Sequence, residues 1–337
     1  MGHRDIIVVG ASAGGVGALT RLVRSLPRDL PATLLVVLHI GSRNSSLPEI
    51  LASAGLLPAG FAEDGAPLLY GRILVARPDH HLHLGPEGVR LSRGPRENGT
   101  RPAVDPLFRS AARTYGPRVI GVILSGTLGD GTAGLAEIKH HGGATVVQDP
   151  EDADYPGMPL SALRNTTVDY RIPVTGMADL LVRLTALPHR PGARPQPGTP
   201  IARLRKDDGD LPMEGYDLTA PVALTCPHCG GALAETTVDS LRYFTCHIGH
   251  RFAAPDMEEA QFRKLEESLE IALRSLNERA ALCRRLAETA RKKGHSHSAA
   301  HWERAMQEVE ERAAMLAGFI QQGWRRPDPG GDEDPAS

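Results

Sequence analysis

The chain is poor in cysteine, carries almost no net charge and contains no long apolar run. Its 337 residues include 4 Cys, 38 Lys and Arg, and 40 Asp and Glu, which leaves a formal net charge of −2 at pH 7. Nucleic-acid-binding domains show a basic excess, so this balance gives no reason to expect nucleic acid as a partner. A membrane span needs about 20 apolar residues, and a secretory signal needs an apolar core near the start. The sequence has neither feature, so we expect a cytoplasmic protein without direct membrane insertion.

The chain opens with an apolar strand that breaks into a glycine-rich turn. Residues 5–9 are rich in Ile and Val, and from Gly15 apolar side chains recur at helical spacing. The intervening residues 10–14, Gly-Ala-Ser-Ala-Gly, match the G-x-S-x-G elbow, in which a serine lies on a sharp turn beside backbone N–H groups. The same turn fits a Rossmann phosphate loop about equally well, with Ser12 in place of the middle glycine.

The second strand separates these alternatives. A dinucleotide site has an acidic residue at the end of the second strand, about 20 residues further on. Here the apolar residues 34–38 are followed by His39, with no Asp or Glu. Adjacent parallel strands lie about 4.8 Å apart, so His39 can reach Ser12 and act as the base of a nucleophile. A lone histidine at a strand end is more often structural, and its pairing with Ser12 is what favours a catalytic role.

A carboxylate that orients this histidine would complete a triad. Residues 119–124 form another apolar strand, and Asp130 follows it between two glycines. Taken alone, Asp130 is more typical of a turn or of the N-cap of a helix over residues 133–140. Three strand ends that supply Ser, His and Asp at one edge of a sheet favour a hydrolase.

Over about its first 185 residues the chain resembles the CheB family of protein-glutamate methylesterases. The resemblance lies in the serine turn, the strand that ends in His39, and the segments 101–111 (RPAVDPLFRSA), 124–126, 129–131, 148–149 and 157–159. It implies a serine hydrolase on a doubly wound, mostly parallel α/β sheet. It also implies that Ser12 is the nucleophile, His39 the base and Asp130 the orienting carboxylate, with no cofactor for catalysis.

The resemblance further implies a substrate and a cellular role. In this family the substrate is the γ-glutamyl methyl ester on the long cytoplasmic helices of chemoreceptors, and many members also deamidate receptor glutamines. The family's receiver domain has no counterpart before the first strand here, so we expect control by means other than receiver phosphorylation.

One loop departs from the family pattern. The family commonly has T-G-M-G-x-D-G before the catalytic carboxylate, whereas residues 125–131 are Ser-Gly-Thr-Leu-Gly-Asp-Gly. Thr127 therefore stands at the methionine position, and a glycine is displaced by one residue to Gly129. The backbone amide of that methionine is credited with helping to bind the oxyanion, so the departure affects a position of catalytic interest.

Three of the four cysteines lie close together late in the chain. Cys226 and Cys229 form a C-x₂-C knuckle, and Cys246 and His250 follow about 16 residues later. This spacing is typical of a structural zinc ribbon whose four ligands leave no open position. His247 is the less favoured fourth ligand because it adjoins Cys246. A thioredoxin-like redox pair lacks its βαβ context, and a disulfide is not expected in the cytoplasm.

Composition divides the chain into five segments. The region after residue 187 is too rich in proline for a helix or a central strand, which indicates an extended linker. Beyond the cysteines, apolar residues recur at helical spacing on both sides of a break at 293–295, which predicts an antiparallel hairpin. The predicted segments are a catalytic domain (1–187), a linker (188–220), a zinc-ribbon module (221–256), a helical hairpin (257–324) and a disordered tail (325–337).

Two functional hypotheses of different class follow. The first is an active methylesterase, and the intact set of Ser12, His39 and Asp130 favours it. The alternative is a catalytically weak signalling adaptor that binds receptors or signalling regulators through its C-terminal module. An esterase for small molecules on the same fold is a third hypothesis. In each case we expect the C-terminal module either to cover the Ser12 edge or to tether a partner.

Overall fold

The structure, a computed structural model, describes residues 3–39, 45–187, 222–238 and 241–322. The predicted linker and tail lie outside these residues. The chain divides into two compact units, one ending at Met257 and the other beginning at Glu258. Among the described helices, none is both long and apolar enough to cross a membrane.

The first unit contains both strands and helices. The described strands are β1 (Ile6–Ala11), β2 (Thr33–Leu38), β3 (Ala59–Phe61), β4 (Arg72–Val75), β5 (His81–Gly85), β6 (Gly88–Ser92), β7 (Val119–Ile123), β8 (Ala144–Gln148), β9 (Tyr170–Ile172), β10 (Val222–Thr225), β11 (Ala232–Val238), β12 (Leu241–Cys246) and β13 (Arg251–Ala253). The described α-helices are α1 (Gly15–Arg24), α2 (Leu47–Ala54), α3 (Val104–Tyr115), α4 (Thr132–His140), α5 (Gly157–Asn165), α6 (Val174–Ala186), α7 (Ala254–Lys292) and α8 (Ser296–Gln321).

Seven strands form one sheet in the order β3-β4-β2-β1-β7-β8-β9, and every neighbouring pair is parallel. In β1, Val8 lies opposite Leu35 of β2 on one side and Gly121 of β7 on the other. All six residues of β1 and all six of β2 are buried, as expected for a parallel sheet covered on both faces. The predicted parallel α/β sheet is confirmed.

Helices cover both faces of this sheet. On one face, Val9 belongs to a buried apolar cluster with Leu22 of α1 and Leu181 of α6. On the other face, Val8 belongs to a second cluster that contains Phe108 of α3. Successive residues of a strand point to opposite faces, so the continuous apolar run of β1 supplies both cores.

The strand order reverses direction at the centre of the sheet. From β1 the chain passes to β2 on one side, whereas from β7 it passes to β8 on the other. The carboxyl ends of β1, β2 and β7 therefore meet around a topological switch point, where open α/β sheets bind their ligands. The segments that follow these three strands carry the predicted serine, histidine and aspartate.

A second, four-stranded antiparallel sheet has the order β10-β11-β12-β13 and belongs to the same compact unit. Its β13 runs beside the loop before α3, where Asn98 N–H donates to Arg251 O at 2.7 Å. Tyr243 and Ala253 share a buried apolar cluster with Ala133 of α4. The small sheet is thus packed against the large-sheet domain.

The second unit contains most of α7 and all of α8. Ion pairs join Arg284 to Glu310 and Arg291 to Glu303. Because the residue number rises in one helix as it falls in the other, the two helices are antiparallel, as the apolar spacing predicted. Cys283 is buried in this hairpin.

Gly10 of β1 lies against Val104 at the start of α3, and this contact yields a prediction. A Cβ at Gly10 would lie 2.4 Å from Cγ1 of the buried Val104. Since a β-branched side chain in a packed core cannot move aside, Gly10→Ala should lower the free energy of unfolding by about 1–3 kcal/mol. Urea unfolding measures this change.

The matched control is Gly17→Ala. Gly17 lies in α1 with open space around its Cβ position, so the better helix propensity of alanine should leave stability unchanged or raise it by up to about 1 kcal/mol. Equal effects of the two substitutions would contradict the packing described here.

Candidate active site

Ser12 lies in the turn between β1 and α1. Its N–H donates to Ser125 O at 3.0 Å, and its carbonyl accepts from Gly15 N–H at 2.9 Å. The turn closes through Gly14, which has φ +71°, and a Cβ there would lie 2.6 Å from Ser125 Oγ. Only glycine adopts this conformation in so little space. The cramped turn holds the serine at the carboxyl end of β1 and directly before the helix N-terminus.

His39 follows β2 and lies between Ser12 and Asp130. Its Nδ1 is 3.1 Å from Ser12 Oγ, and its Nε2 is 2.7 Å from Asp130 Oδ2. A carboxylate only accepts hydrogen bonds, so Nε2 carries the proton that faces Asp130. The lone pair of Nδ1 then accepts from the Ser12 hydroxyl. The structure brings the three predicted residues together as a hydrogen-bonded series.

Asp130 is almost fully buried, with 1% of its surface exposed. Besides His39, its carboxylate accepts from Val104 N–H at 2.6 Å, Asp105 N–H at 3.2 Å and Asn98 Nδ2 at 2.8 Å. The first two donors are at the N-terminus of α3, where the helix dipole favours negative charge. Although burial acts in the opposite direction, the hydrogen bonds from His39, Val104 and Asn98 hold the pKa of Asp130 below its usual value.

A second buried carboxylate, Asp105, lies beside Asp130. Its Oδ1 accepts from Gly134 N–H at 2.7 Å, and its Oδ2 accepts from Asn98 Nδ2 at 3.0 Å and Tyr243 Oη at 3.1 Å. Burial and the charge of Asp130 raise the pKa of Asp105 to about 7. The pKa of Asp105 is therefore raised while that of its neighbour Asp130 is lowered. Of the two carboxyl groups, Asp130 is the one that stays ionised.

The loop after β7 passes close to Ser12. A Cβ at Gly126 would lie 2.9 Å from the Ser12 Cβ, so only glycine fits there. Thr127 is exposed beside it. Leu128 has φ +63°, a left-handed conformation that costs a residue with a side chain about 1–2 kcal/mol. The family pattern has glycine at this position, so the displaced glycine leaves a strained residue in the loop.

The cysteine knuckle forms a compact cluster in the small sheet. The ligand atoms of Cys226, Cys229, Cys246 and His250 all lie within 4.8 Å of one another. His250 Nδ1 is 3.7 Å from Cys226 Sγ and 3.5 Å from Cys246 Sγ, and Cys229 Sγ is 3.7 Å from Cys246 Sγ. A tetrahedral zinc site with ordinary bond lengths requires about 3.8 Å between sulfurs and about 3.5 Å between sulfur and nitrogen. The cluster fits a metal ion of this kind.

Sequence reasoning missed Asn98 and Tyr243. Asn98 bonds both buried carboxyl groups through one Nδ2, and Tyr243 reaches Asp105 from a distant part of the chain. The segment 101–111 carries part of the family resemblance, but the pattern does not reveal that its backbone N–H groups bind Asp130. The available signal was Asp105 in the first turn of α3. An acidic residue there marks a helix N-terminus, where the helix dipole and free N–H groups favour carboxylates such as that of Asp130.

A parallel α/β sheet with serine, histidine and carboxylate aligned at its carboxyl edge is the arrangement of an α/β serine hydrolase. A family model described as CheB methylesterase matches residues 7–181. The chain belongs to this family, as the sequence resemblance predicted.

Curated relatives carry the corresponding name. The protein-glutamate methylesterase/protein-glutamine glutaminase 2 of Methanosarcina mazei is 37% identical over 190 residues, which cover 54% of this chain and 52% of that protein. A putative enzyme of the same name from Leptospira interrogans is 37% identical and matches over 94% of its own length. One from Anaeromyxobacter dehalogenans is 42% identical over 53% of its length. The chain thus spans about half the length of two of these three relatives.

A solved structure has the same fold. The Thermotoga maritima CheB methylesterase catalytic domain is 34% identical, with a TM-score of 0.52, and the match covers 55% of this chain and 99% of that one. The match therefore includes nearly all of that catalytic domain and about half of this chain.

The raised pKa of Asp105 yields a pH prediction. Between about pH 4, the usual carboxyl pKa, and pH 7, folding binds an extra proton at Asp105. The contribution of Asp105 to the free energy of unfolding therefore falls as the pH rises through this window. Asp105→Asn removes this contribution, so from pH 4 to pH 7 the free energy of unfolding should decline less, or rise more, in the variant than in the wild-type protein, as measured by urea unfolding at both pH values.

Asp149→Asn is the control for that measurement. Arg171 lowers the pKa of the half-buried Asp149, which is a shift of the opposite sign. This substitution should not shift the pH dependence in the same direction. An unchanged pH dependence in Asp105→Asn would contradict the assignment of a raised pKa to Asp105.

Proposed function

We propose that the protein is a protein-glutamate methylesterase that hydrolyses γ-glutamyl methyl esters on the cytoplasmic helices of chemoreceptors, in chemotaxis or related signalling. The observation that carries the proposal is the hydrogen-bonded series from Ser12 through His39 to Asp130 in a chain of this family. The site of action is the cytoplasm, where these receptor helices lie.

The first half of the reaction acylates the serine. As Ser12 Oγ attacks the ester carbonyl carbon, its proton passes to His39 Nδ1, which lies 3.1 Å away. Collapse of the tetrahedral intermediate breaks the bond to the methoxy oxygen, and His39 returns the proton to give methanol. A water molecule then attacks the acyl-enzyme, with the same histidine as base, and releases the glutamate carboxylate and free Ser12.

Asp130 acts on the histidine rather than on the substrate. It fixes the tautomer with the proton on Nε2 and stabilises the imidazolium that forms during each transfer. Its own hydrogen bonds from the N-terminus of α3 keep it ionised. The histidine thereby presents an unprotonated nitrogen to Ser12.

The negative charge on the carbonyl oxygen needs donors in the transition state. We assign the backbone N–H of Thr127 to this role, because the residue is exposed in the loop that touches Ser12 through Gly126. A backbone donor is independent of the side chain, which makes threonine compatible with the position that is methionine in the family pattern. The N-terminus of α1 directly follows Ser12 and favours the same charge.

Deamidation is the second activity in this proposal. The names of the relatives include protein-glutamine glutaminase, and the chemistry is the same with ammonia in place of methanol as the leaving group. No metal is required in either reaction.

Ser12→Ala should abolish methanol release from methylated receptor membranes. Loss of the attacking oxygen should lower kcat by about 10³-fold or more without unfolding the protein. His39→Ala should be similarly damaging, whereas Asp130→Ala retains somewhat more activity because Asp130 orients rather than reacts.

Ser53→Ala is the control, because Ser53 is an exposed residue of α2. Wild-type methanol release by the Ser12 variant would overturn the assignment. Absence of release by the wild-type protein, with receptor binding retained, would favour the signalling adaptor.

The small sheet has a structural role in this proposal. We infer that Cys226, Cys229, Cys246 and His250 hold one zinc ion, as the distances between their ligand atoms support. With four protein ligands the site is closed, so the metal supplies folding energy and no catalytic water.

Elemental analysis should find one zinc per chain. Cys226→Ser and Cys246→Ser should lose the metal and expose residues 222–253 to limited proteolysis, because binding energy at such a site is folding energy. Cys283→Ser is the matched control, because Cys283 is buried in the helical hairpin and is not part of the cysteine cluster. This variant protein should keep its zinc. Metal-free wild-type protein, purified without chelators, would reject the zinc site.

A further inference from the structure

The small sheet contacts the residues that surround the proposed catalytic carboxylate. We propose that it is a working part of the active site: Tyr243 and the main chain at Ala253 position Asn98 and Asp105, and these two residues position Asp130 against His39. The inference deepens the proposed function and rests on it for the role of Asp130. Because Tyr243 acts through Asp105, it is a positioning residue for the esterase reaction.

Asn98 is the first link. Its Nδ2 donates to Asp130 Oδ1 at 2.8 Å, while its Oδ1 accepts from Ala253 N–H at 2.9 Å. Its own N–H donates to Arg251 O at 2.7 Å. The backbone of Asn98 has φ +49°, a conformation sparsely used by residues other than glycine. Hydrogen bonds with β13, one donated and one accepted by Asn98, thus hold this residue in the orientation that serves Asp130.

Tyr243 is the second link. It is 6% exposed, and its hydroxyl donates to Asp105 Oδ2 at 3.1 Å. Asp105 in turn presents its backbone N–H to Asp130 Oδ1 at 3.2 Å. A buried tyrosine hydroxyl needs a hydrogen-bond partner, so this bond fixes Tyr243 and Asp105 relative to each other. The start of α3, which supplies two donors to Asp130, is held in the same way.

A third contact involves the loop that carries Asp130. Asp256, in the first turn of α7, is buried beside Gly129, and a Cβ at Gly129 would lie 3.3 Å from Asp256 Oδ2. Burial, followed by the charges of Asp130 and Asp105, raises the pKa of Asp256 well above its usual value. The segment after β13 therefore packs against the loop that carries Asp130.

The metal cluster and these contacts belong to the same two strands. β12 contains both Tyr243 and Cys246, and β13 begins directly after His250. Main-chain pairing joins the strands at Tyr243 and Ala253. Zinc binding at the cluster would fix the turn between the strands, and with it the two groups that contact Asp105 and Asn98. We therefore expect zinc binding to change the hydrogen bond between His39 and Asp130.

Tyr243→Phe tests this chain of contacts because it removes a single oxygen atom. The variant should lower kcat for methanol release from methylated receptor membranes by about 10-fold, since one buried hydrogen bond beside the triad is lost. KM should stay within about twofold, because the residue contacts no substrate. Tyr70→Phe is the matched control: Tyr70 Oη also donates to an aspartate, Asp5, at 2.8 Å, just before β1 begins, and the variant should keep wild-type kcat.

A spectroscopic readout separates positioning from general destabilisation. The NMR signal of the His39 Nε2–H proton reports its hydrogen bond to Asp130, and its absence in His39→Gln assigns it. In Tyr243→Phe this signal should be displaced and should exchange with solvent faster. In Tyr70→Phe it should be unchanged. If even the wild-type protein releases no methanol, the proposed function fails, and the His39 signal still decides the present inference.

Removal of zinc from the full chain with a chelator provides an independent arm. The His39 signal should change in the same direction as in Tyr243→Phe, and zinc alone should restore it. If Tyr243→Phe does not fold, the zinc-removal experiment decides whether the small sheet positions Asp130 against His39. A folded Tyr243→Phe with wild-type kcat and a wild-type His39 signal would overturn the inference. A His39 signal indifferent to zinc removal would overturn the link to the metal.

Discussion

The structure depends on one buried negative charge, the carboxylate of Asp130. An isolated charge in a protein interior is costly, and the chain offsets this cost with four hydrogen bonds, from His39, Val104, Asp105 and Asn98. Bonds to a charged group contribute about 1.5–3 kcal/mol each. These bonds keep the carboxylate ionised, and an ionised carboxylate fixes the tautomer of His39. The unprotonated Nδ1 that faces the serine follows from this.

The donors come from places far apart in the sequence, and the fold explains why they meet. The switch point between β1 and β7 brings the serine turn and the aspartate loop to one edge of the sheet. The N-terminus of α3 arrives beside that edge because α3 packs on one face of the sheet through Phe108. The small sheet closes the remaining side through β12 and β13. Contacts to Asp105 and Asn98 thus come from a second sheet that lies outside the family match at residues 7–181.

The sequence was sufficient to predict the parallel sheet and the proximity of the serine, histidine and aspartate, because each lies at a strand end with a recognisable turn. It was insufficient for the residues that support the aspartate. The bond from Tyr243 to Asp105 joins positions 138 residues apart, and no local pattern marks a tyrosine in a small sheet as a partner of a helix start. The use of Nδ1 rather than Nε2 towards Ser12 also depends on the three-dimensional approach of β2, which residue spacing does not describe.

Labelling with a fluorophosphonate probe tests the central claim, that this arrangement activates Ser12, most directly. Such probes react with an activated serine oxygen, which displaces fluoride from phosphorus. Mass spectrometry of the digested protein should find the phosphonyl group on the peptide that contains Ser12, and His39→Gln should lose the label while retaining its fold. Labelling at another serine, or labelling of Ser12 that does not depend on His39, would contradict the account.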